Sequence, residues 1–137
     1  MEVDFAFLSD YAEESGGKLH ALGVGIDRIQ AHSVPTRHPQ LTMVAQIRYS
    51  AAEAGSHRLE VRGFDADGQD IVDKVEGELP FPTLSGGTSG TARVLVNLVG
   101  VNFPDYGDHS FHLVIGGIEV SRASVRVVEP PEAESPG

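Results

Sequence analysis

The sequence predicts an all-β, single-domain β-sandwich of eight or nine strands, of Greek-key, jelly-roll or immunoglobulin/C2-like type, with a partly open barrel as the second architecture. Three observations predict it. Apolar and polar residues alternate at period two in short runs, clusters of Gly, Pro, Asp and Ser separate those runs at regular spacing, and few stretches carry a helical period long enough to matter. The 137 residues suffice for one hydrophobic core, and the absence of cysteine removes disulfides, thiolate metal sites and cysteine nucleophiles.

The first strand sets Val3, Phe5 and Phe7 against Glu2, Asp4 and Ala6 and ends at Ser9-Asp10. DYAEESGGK is punctuated by Ser15-Gly16-Gly17 and reads as a loop or a wide hairpin connection. KLHALGVGI and DRIQAHS follow as one bent strand or two. The two prolines of SVPTRHPQ lack the N–H a central ladder needs, so this segment reads as a crossover loop. Leu41, Met43, Ala45, Ile47 and Tyr49 then share one parity, which is the clearest amphipathic strand in the chain.

AAEAGS is a connection with room for one helical turn, and HRLEVRGFD sets Leu59 and Val61 against Arg58, Glu60 and Arg62. Asp65 to Gly68 form a tight turn before QDIVDKVEGEL, with an Asp-Gly pair supplying positive φ. PFPTLSGGTSG is long enough to carry the chain between sheets. TARVLVNLVGVNF is apolar on both parities, which predicts a central strand covered on both sides or one that twists from one core face to another. SFHLVI points Phe111, Leu113 and Ile115 inward, Gly116-Gly117 makes a two-residue turn, and the parity change between Val120 and Val125 predicts a bulge near Arg122 to Ser124. The domain therefore spans 1–128, and EPPEAESPG, residues 129–137, has the composition of a disordered acidic, proline-rich tail.

Charge and composition narrow the function. A formal charge of −10 repels a phosphate backbone, and the ten basic residues are scattered singly along the chain, which argues against nucleic acid and against an anionic membrane as partners. The first residues form neither a secretory signal nor a membrane span, which makes the cytoplasm the expected location. Asp65, Asp67 and Glu76 fall at the first, third and twelfth places of a calcium loop, but Asp70 stands where its glycine should be, and no helices flank it. His109 and His112, three apart in a strand, point to opposite faces, so a metal set would have to assemble from separate strands. There is no G-x-S-x-G elbow, P-loop lysine or dinucleotide fingerprint, and so no cofactor is expected.

Two glycines, Gly23 and Gly25, interrupt KLHALGVGIDRI where a strand should be strongest. They permit a bend and a close crossing by a neighbour such as the strand of Phe5 and Phe7, or they floor a groove whose polar groups would be Asp10, Tyr11, Asp27 and Arg28. FAFLSDYAEESGGKLHALGVGIDRI, with HPQL, HRLEVRGFDADG and FPDYGDHSFHLVI, resembles a widespread bacterial domain family of unknown function over most of the chain short of the tail. The resemblance implies a free-standing bacterial β domain and carries no activity or catalytic residue. The expected function is a non-enzymatic protein-protein interaction module or homo-oligomeric subunit. The alternatives are a structural subunit of a larger bacterial or phage-like assembly, and a metal-dependent enzyme with a His/Asp site drawn from separate strands.

Overall fold

The computed structural model describes residues 1–131; of the tail expected to be disordered, residues 132–137 lie outside the described residues. The strands are β1 (Glu2–Ser9), β2 (Tyr11–Ser15), β3 (Lys18–Leu22), β4 (Arg28–Gln30), β5 (Thr36–Ser50), β6 (Gly55–Phe64), β7 (Val75–Phe81), β8 (Ser89–Phe103), β9 (Gly107–Ile115) and β10 (Ile118–Val128). They form a three-stranded sheet ordered β1-β5-β8, a five-stranded sheet ordered β4-β10-β9-β6-β7, and the hairpin β2-β3. The all-β prediction holds. Among the described residues no helix is long and apolar enough to cross a membrane.

One core lies between the two larger sheets. The parity expected of β5 is buried throughout, and it meets Val61 of β6, Phe81 of β7, Phe111, Leu113 and Ile115 of β9, and Val125 and Val127 of β10. The chain passes between the sheets where the turn signals placed its connections. A 3-10 turn at Ala51–Glu53 leads from β5 to β6, residues 82–88 lead from β7 to β8, and residues 104–106 lead from β8 to β9.

Among the described residues ten strands replace the eight or nine expected, because DYAEESGGK, expected as a loop or a wide hairpin connection, belongs to a tight hairpin: β2 and β3 pair in register from Tyr11↔Leu22 to Ser15↔Lys18 around Gly16 and Gly17. Of the two readings of KLHALGVGI and DRIQAHS, two strands is the one found: β3 ends at Leu22 and β4 begins at Arg28. Pro39 lies inside β5 rather than in a crossover loop. It is tolerated there because the ladder to β8 passes from His38↔Val101 to Gln40↔Val99 without a Pro39 pair, and β1 pairs with β5 only over residues 42–48.

The aromatic parity of β1 is not the core parity. The register breaks between Val3 and Phe5, Leu8 enters the core, and Phe5 and Phe7 stack with ring centroids 6.1 Å apart. The bulge of β10 lies between Glu119 and Ser121, just before the position expected. TARVLVNLVGVNF is the edge strand β8, not a central one, and the twisting alternative describes it: Val94 and Leu98 face the core on one parity, Val101 and Phe103 on the other, with Gly100 at φ +64° between them. Only glycine adopts that left-handed backbone readily, so the parity switch is written at this residue.

Gly23 answers the question its neighbourhood raised. Its φ is +66°, and a Cβ there would stand 2.8 Å from Asp10 Cγ, so the crossing neighbour is Asp10 rather than Phe5 or Phe7. The loop is pinned by Asp10 N–H donating to the Leu22 carbonyl at 3.0 Å and Gly25 N–H donating to the Leu8 carbonyl at 2.9 Å.

The Met1 ammonium and the Ser50 backbone N–H both donate to the Glu53 carboxylate, at 2.8 and 3.0 Å, and hold it well below its ordinary 4.5, at about 2. A depressed carboxylate contributes stability that is complete above about pH 4.5 and is lost as the pH falls through about 2. Glu53→Gln is therefore expected to flatten the stability profile between pH 5 and 2 relative to wild type, measured by urea denaturation across that range.

Candidate functional site

A sheet edge offers unpaired backbone donors and acceptors to another strand, and proteins blunt such edges with charge, proline, bulges or brevity. Three of the four edges of the two larger sheets carry those devices. β1 has Glu2, Asp4 and its register break, β4 is three residues long, and β7 has Glu76, Glu78 and Pro80. β8 runs fifteen residues with no proline and with Arg93 as its one charge. That arginine is already bound to Glu14 at 2.9 Å and to Gln46 at 3.0 Å.

The exposed half of β8 opens into a groove of about 450 Å³ whose one wall is Asn97 to Asn102 and whose other wall is the β6–β7 connection from Asp70 to Val75. Val99 is 79% exposed along it. Asp70 and Asp73 stand on the far wall and Arg37 at its end, so the groove joins an apolar strand edge to two carboxylates. The connection is held rigidly enough to form a wall: Asp65 Oδ1 accepts from the Asp67 and Gln69 N–H groups, each at 2.9 Å, and Ile71 N–H donates to the Gly63 carbonyl at 3.0 Å. Asp65 is thus spent on its own turn, and Glu76 is bound to Lys74 and Arg58, which together hold its carboxyl below the usual range. These contacts fix the shape of the connection.

The four residues expected to line a groove fall in two places. Asp10 folds over Gly23 and its Oδ1 lies 3.4 Å from His38 Nε2. Tyr11 pairs across the hairpin with Leu22, and with Leu19 and His20 it borders a depression of about 490 Å³. The Tyr11 hydroxyl donates to Glu13 at 2.9 Å, which raises the phenol above its ordinary value. Arg28 sits opposite Arg126 in the parallel β4–β10 ladder and borders another depression, of about 770 Å³, with Tyr106 and Glu129. Asp27 lies beside it, its carbonyl accepting from the Arg126 N–H at 2.8 Å. The two depressions share no lining residue.

The outer face of the five-stranded sheet carries a second cluster. Ser110, His112 and Val114 alternate outward along β9; Phe64, Arg62 and Glu60 face them from β6, and Ser124, Arg122 and Glu119 from β10. Ser110 Oγ lies 2.8 Å from His112 Nε2, and His112 Nδ1 meets Glu119 Oε1. The β10 bulge makes this possible. Val125 and Val127 point into the core, so unbroken alternation would aim Glu119 inward as well, and the extra residue turns it onto the face of Arg122. The hydrogen bond from His112 holds the Glu119 carboxyl below its ordinary value, with Arg122 adding to the effect.

The sequence contains the signal for this cluster in SFHLVIGGIE. A serine and a histidine two apart share a strand face, and a two-residue turn brings the following glutamate back alongside. A reading by sequence motif passes over it, because no motif records a diagonal contact across a hairpin. The arginines scattered along the chain are also gathered here, Arg58, Arg62, Arg122 and Arg126 each lying against a carboxylate. The remaining histidines do not converge. His109 is buried, with Nδ1 donating to the Gly107 carbonyl at 3.0 Å and its ring edge-on to Phe103, and His57 packs on Phe81. Among the described residues no group of three or more His, Asp or Glu side chains is placed to hold a metal ion.

A search of the curated proteins finds no match. Among solved structures, the chain is similar at a TM-score of 0.39 and 10% identity to the Pseudomonas fluorescens alkylpurine DNA glycosylase AlkC bound to DNA containing an abasic site analog. The alignment covers 74% of this chain and 27% of that one, and at that score it carries no argument about either fold or function. The sequence matches a family model over residues 4–128, and the chain belongs to that family, the Family of unknown function (DUF6941).

Proposed function

We propose that this chain is an interaction module that takes an extended strand of a partner protein against the free edge of β8. The single observation behind this reading is that β8 ends its sheet without the protection the other edges carry and borders a groove along Asn97 to Asn102. Strand addition draws affinity from main-chain hydrogen bonds and specificity from alternate side chains. Asp70 and Asp73 favour a strand in which apolar residues alternate with Lys or Arg, and the formal charge of −10 steers such a partner inward. The same charge on every copy opposes a second copy of this chain as occupant.

The test is an NMR titration with a peptide alternating Val and Lys over six residues. Amide shifts are expected at residues 97–102, with binding weakened at least tenfold in Val99→Lys, where a lysine on the edge repels the incoming one, and retained in Val99→Thr. A peptide that leaves those amides unmoved removes the proposal. Concentration-dependent dimerisation by light scattering, abolished by Val99→Lys, would assign the edge to a second copy and make the protein a homo-oligomeric subunit instead.

A further inference from the structure

The cluster on the outer face of the five-stranded sheet goes beyond the docking edge, because three side chains there stand in a proton-relay order. A carboxylate only accepts hydrogen bonds, so the contact of Glu119 with His112 Nδ1 places the ring proton on Nδ1. In the neutral imidazole Nε2 is then the acceptor, and the Ser110 hydroxyl donates across the 2.8 Å between them. With the ring neutral, Ser110, His112 and Glu119 stand in the hydrogen-bond order of nucleophile, base and orienting carboxylate. His112 and Glu119 line a depression of about 460 Å³ that Ser110 adjoins through His112, bordered by Phe64 and Val114 as apolar surface and by the ion pairs Arg62–Glu60 and Arg122–Glu119. Arg62 and Arg122 are the two cross-strand partners of His112, one on each side. Phe64 is the cross-strand partner of Ser110 and packs edge-on against His112 with centroids 5.3 Å apart, which holds the imidazole in its plane.

We propose that Ser110 is the nucleophile of an acyl-transfer site that accepts short-chain carboxylic esters, with His112 as general base and Glu119 as the positioning residue. Ser110 Oγ attacks the ester carbonyl carbon as its proton passes to His112 Nε2. Arg122, the β10 cross-strand partner of His112, lies 3.7 Å from Glu119 and offers guanidinium N–H groups to the oxyanion that forms. The bond from the carbonyl carbon to the alcohol oxygen breaks, and the departing alkoxide takes the proton from His112. Water then attacks the acyl-serine, giving a proton to His112 that returns to Ser110 Oγ as the carboxylic acid leaves. The net reaction is ester plus water to acid plus alcohol, with no further reactant.

The test uses the whole chain with a fluorophosphonate probe, read by intact mass and peptide mapping, alongside hydrolysis of p-nitrophenyl acetate. One label per chain on Ser110 is expected, absent in Ser110→Ala. His112→Gln should slow labelling at least tenfold. Glu119→Gln should do the same while Glu119→Asp recovers part of the rate, which a merely structural glutamate would not produce. Ser110 lies on the sheet surface, so its alanine variant is expected to melt as wild type does, and melting curves verify that. Folded wild type that takes no label, or a Ser110→Ala variant that is labelled equally, overturns the proposal.

Discussion

Truncating Phe111 to alanine is expected to cost about 3–5 kcal/mol of unfolding free energy, the range for aromatic-to-alanine changes in a core. Phe111 is fully buried on β9, in the middle of the five-stranded sheet, and its ring meets Phe103 of the opposite sheet edge-on with centroids 6.1 Å apart. Gly63 on the neighbouring strand makes room for it, since a Cβ there would stand 3.2 Å from Phe111 Cε1. The site is walled by sheet backbone that cannot collapse inward, so the cavity term should be near its upper end. Domains of this kind are stable by about 5–15 kcal/mol in total, and the variant is therefore expected to lie close to unfolding at 37 °C. Urea denaturation monitored by far-ultraviolet dichroism measures it. A loss below about 1 kcal/mol, the scale of a surface change, would contradict a shared core between the two sheets.

Tyr49→Ala is expected to cost a similar amount, about 3–5 kcal/mol, by a different route. Tyr49 on β5 stacks on Phe81 of β7 at 4.5 Å, and Phe81 packs in turn against His57 of β6 at 4.2 Å, so one aromatic column ties the two sheets together. The Tyr49 hydroxyl donates to the Pro82 carbonyl at 2.6 Å and fastens the start of the segment that carries the chain to β8. Tyr49→Phe keeps the column and removes that bond, for an expected loss of about 1 kcal/mol. The difference between the two variants separates ring packing from the tether. Equal losses would mean that the hydroxyl alone matters.

Much of the sheet architecture was legible because burial in strands has period two, a local property of the sequence. Leu41 to Tyr49 on β5 and Phe111 to Ile115 on β9 are buried on the parities that alternation predicts. The errors occur where a local rule meets a non-local partner. Phe5 and Phe7 look like core residues until the register break in β1 assigns the inward parity to Leu8. Pro39 looks like a strand breaker until the ladders on β5 pass it over. β8 looks central because both parities are apolar, yet it is an edge that changes inward parity at Gly100.

The expected site shows the same division. Asp10, Tyr11, Asp27 and Arg28 are close in sequence, but the loop through Gly23 and Gly25 sends one pair to the hairpin and the other to the β4–β10 ladder. The groove along β8 joins segments 70–75 and 97–102, and the Ser110 cluster depends on a bulge in the following strand. Neither arrangement is a pattern at fixed spacing.

By itself the sequence determined the class of the fold, its turns and most of its inward side chains, because strand alternation and turn chemistry act over a few neighbouring residues. Tertiary structure decided which strand is left at an edge, which arginines share a face and which carboxylate reaches His112. Those outcomes depend on register between strands distant in the chain, and a shift of one residue reverses the face of every side chain that follows it.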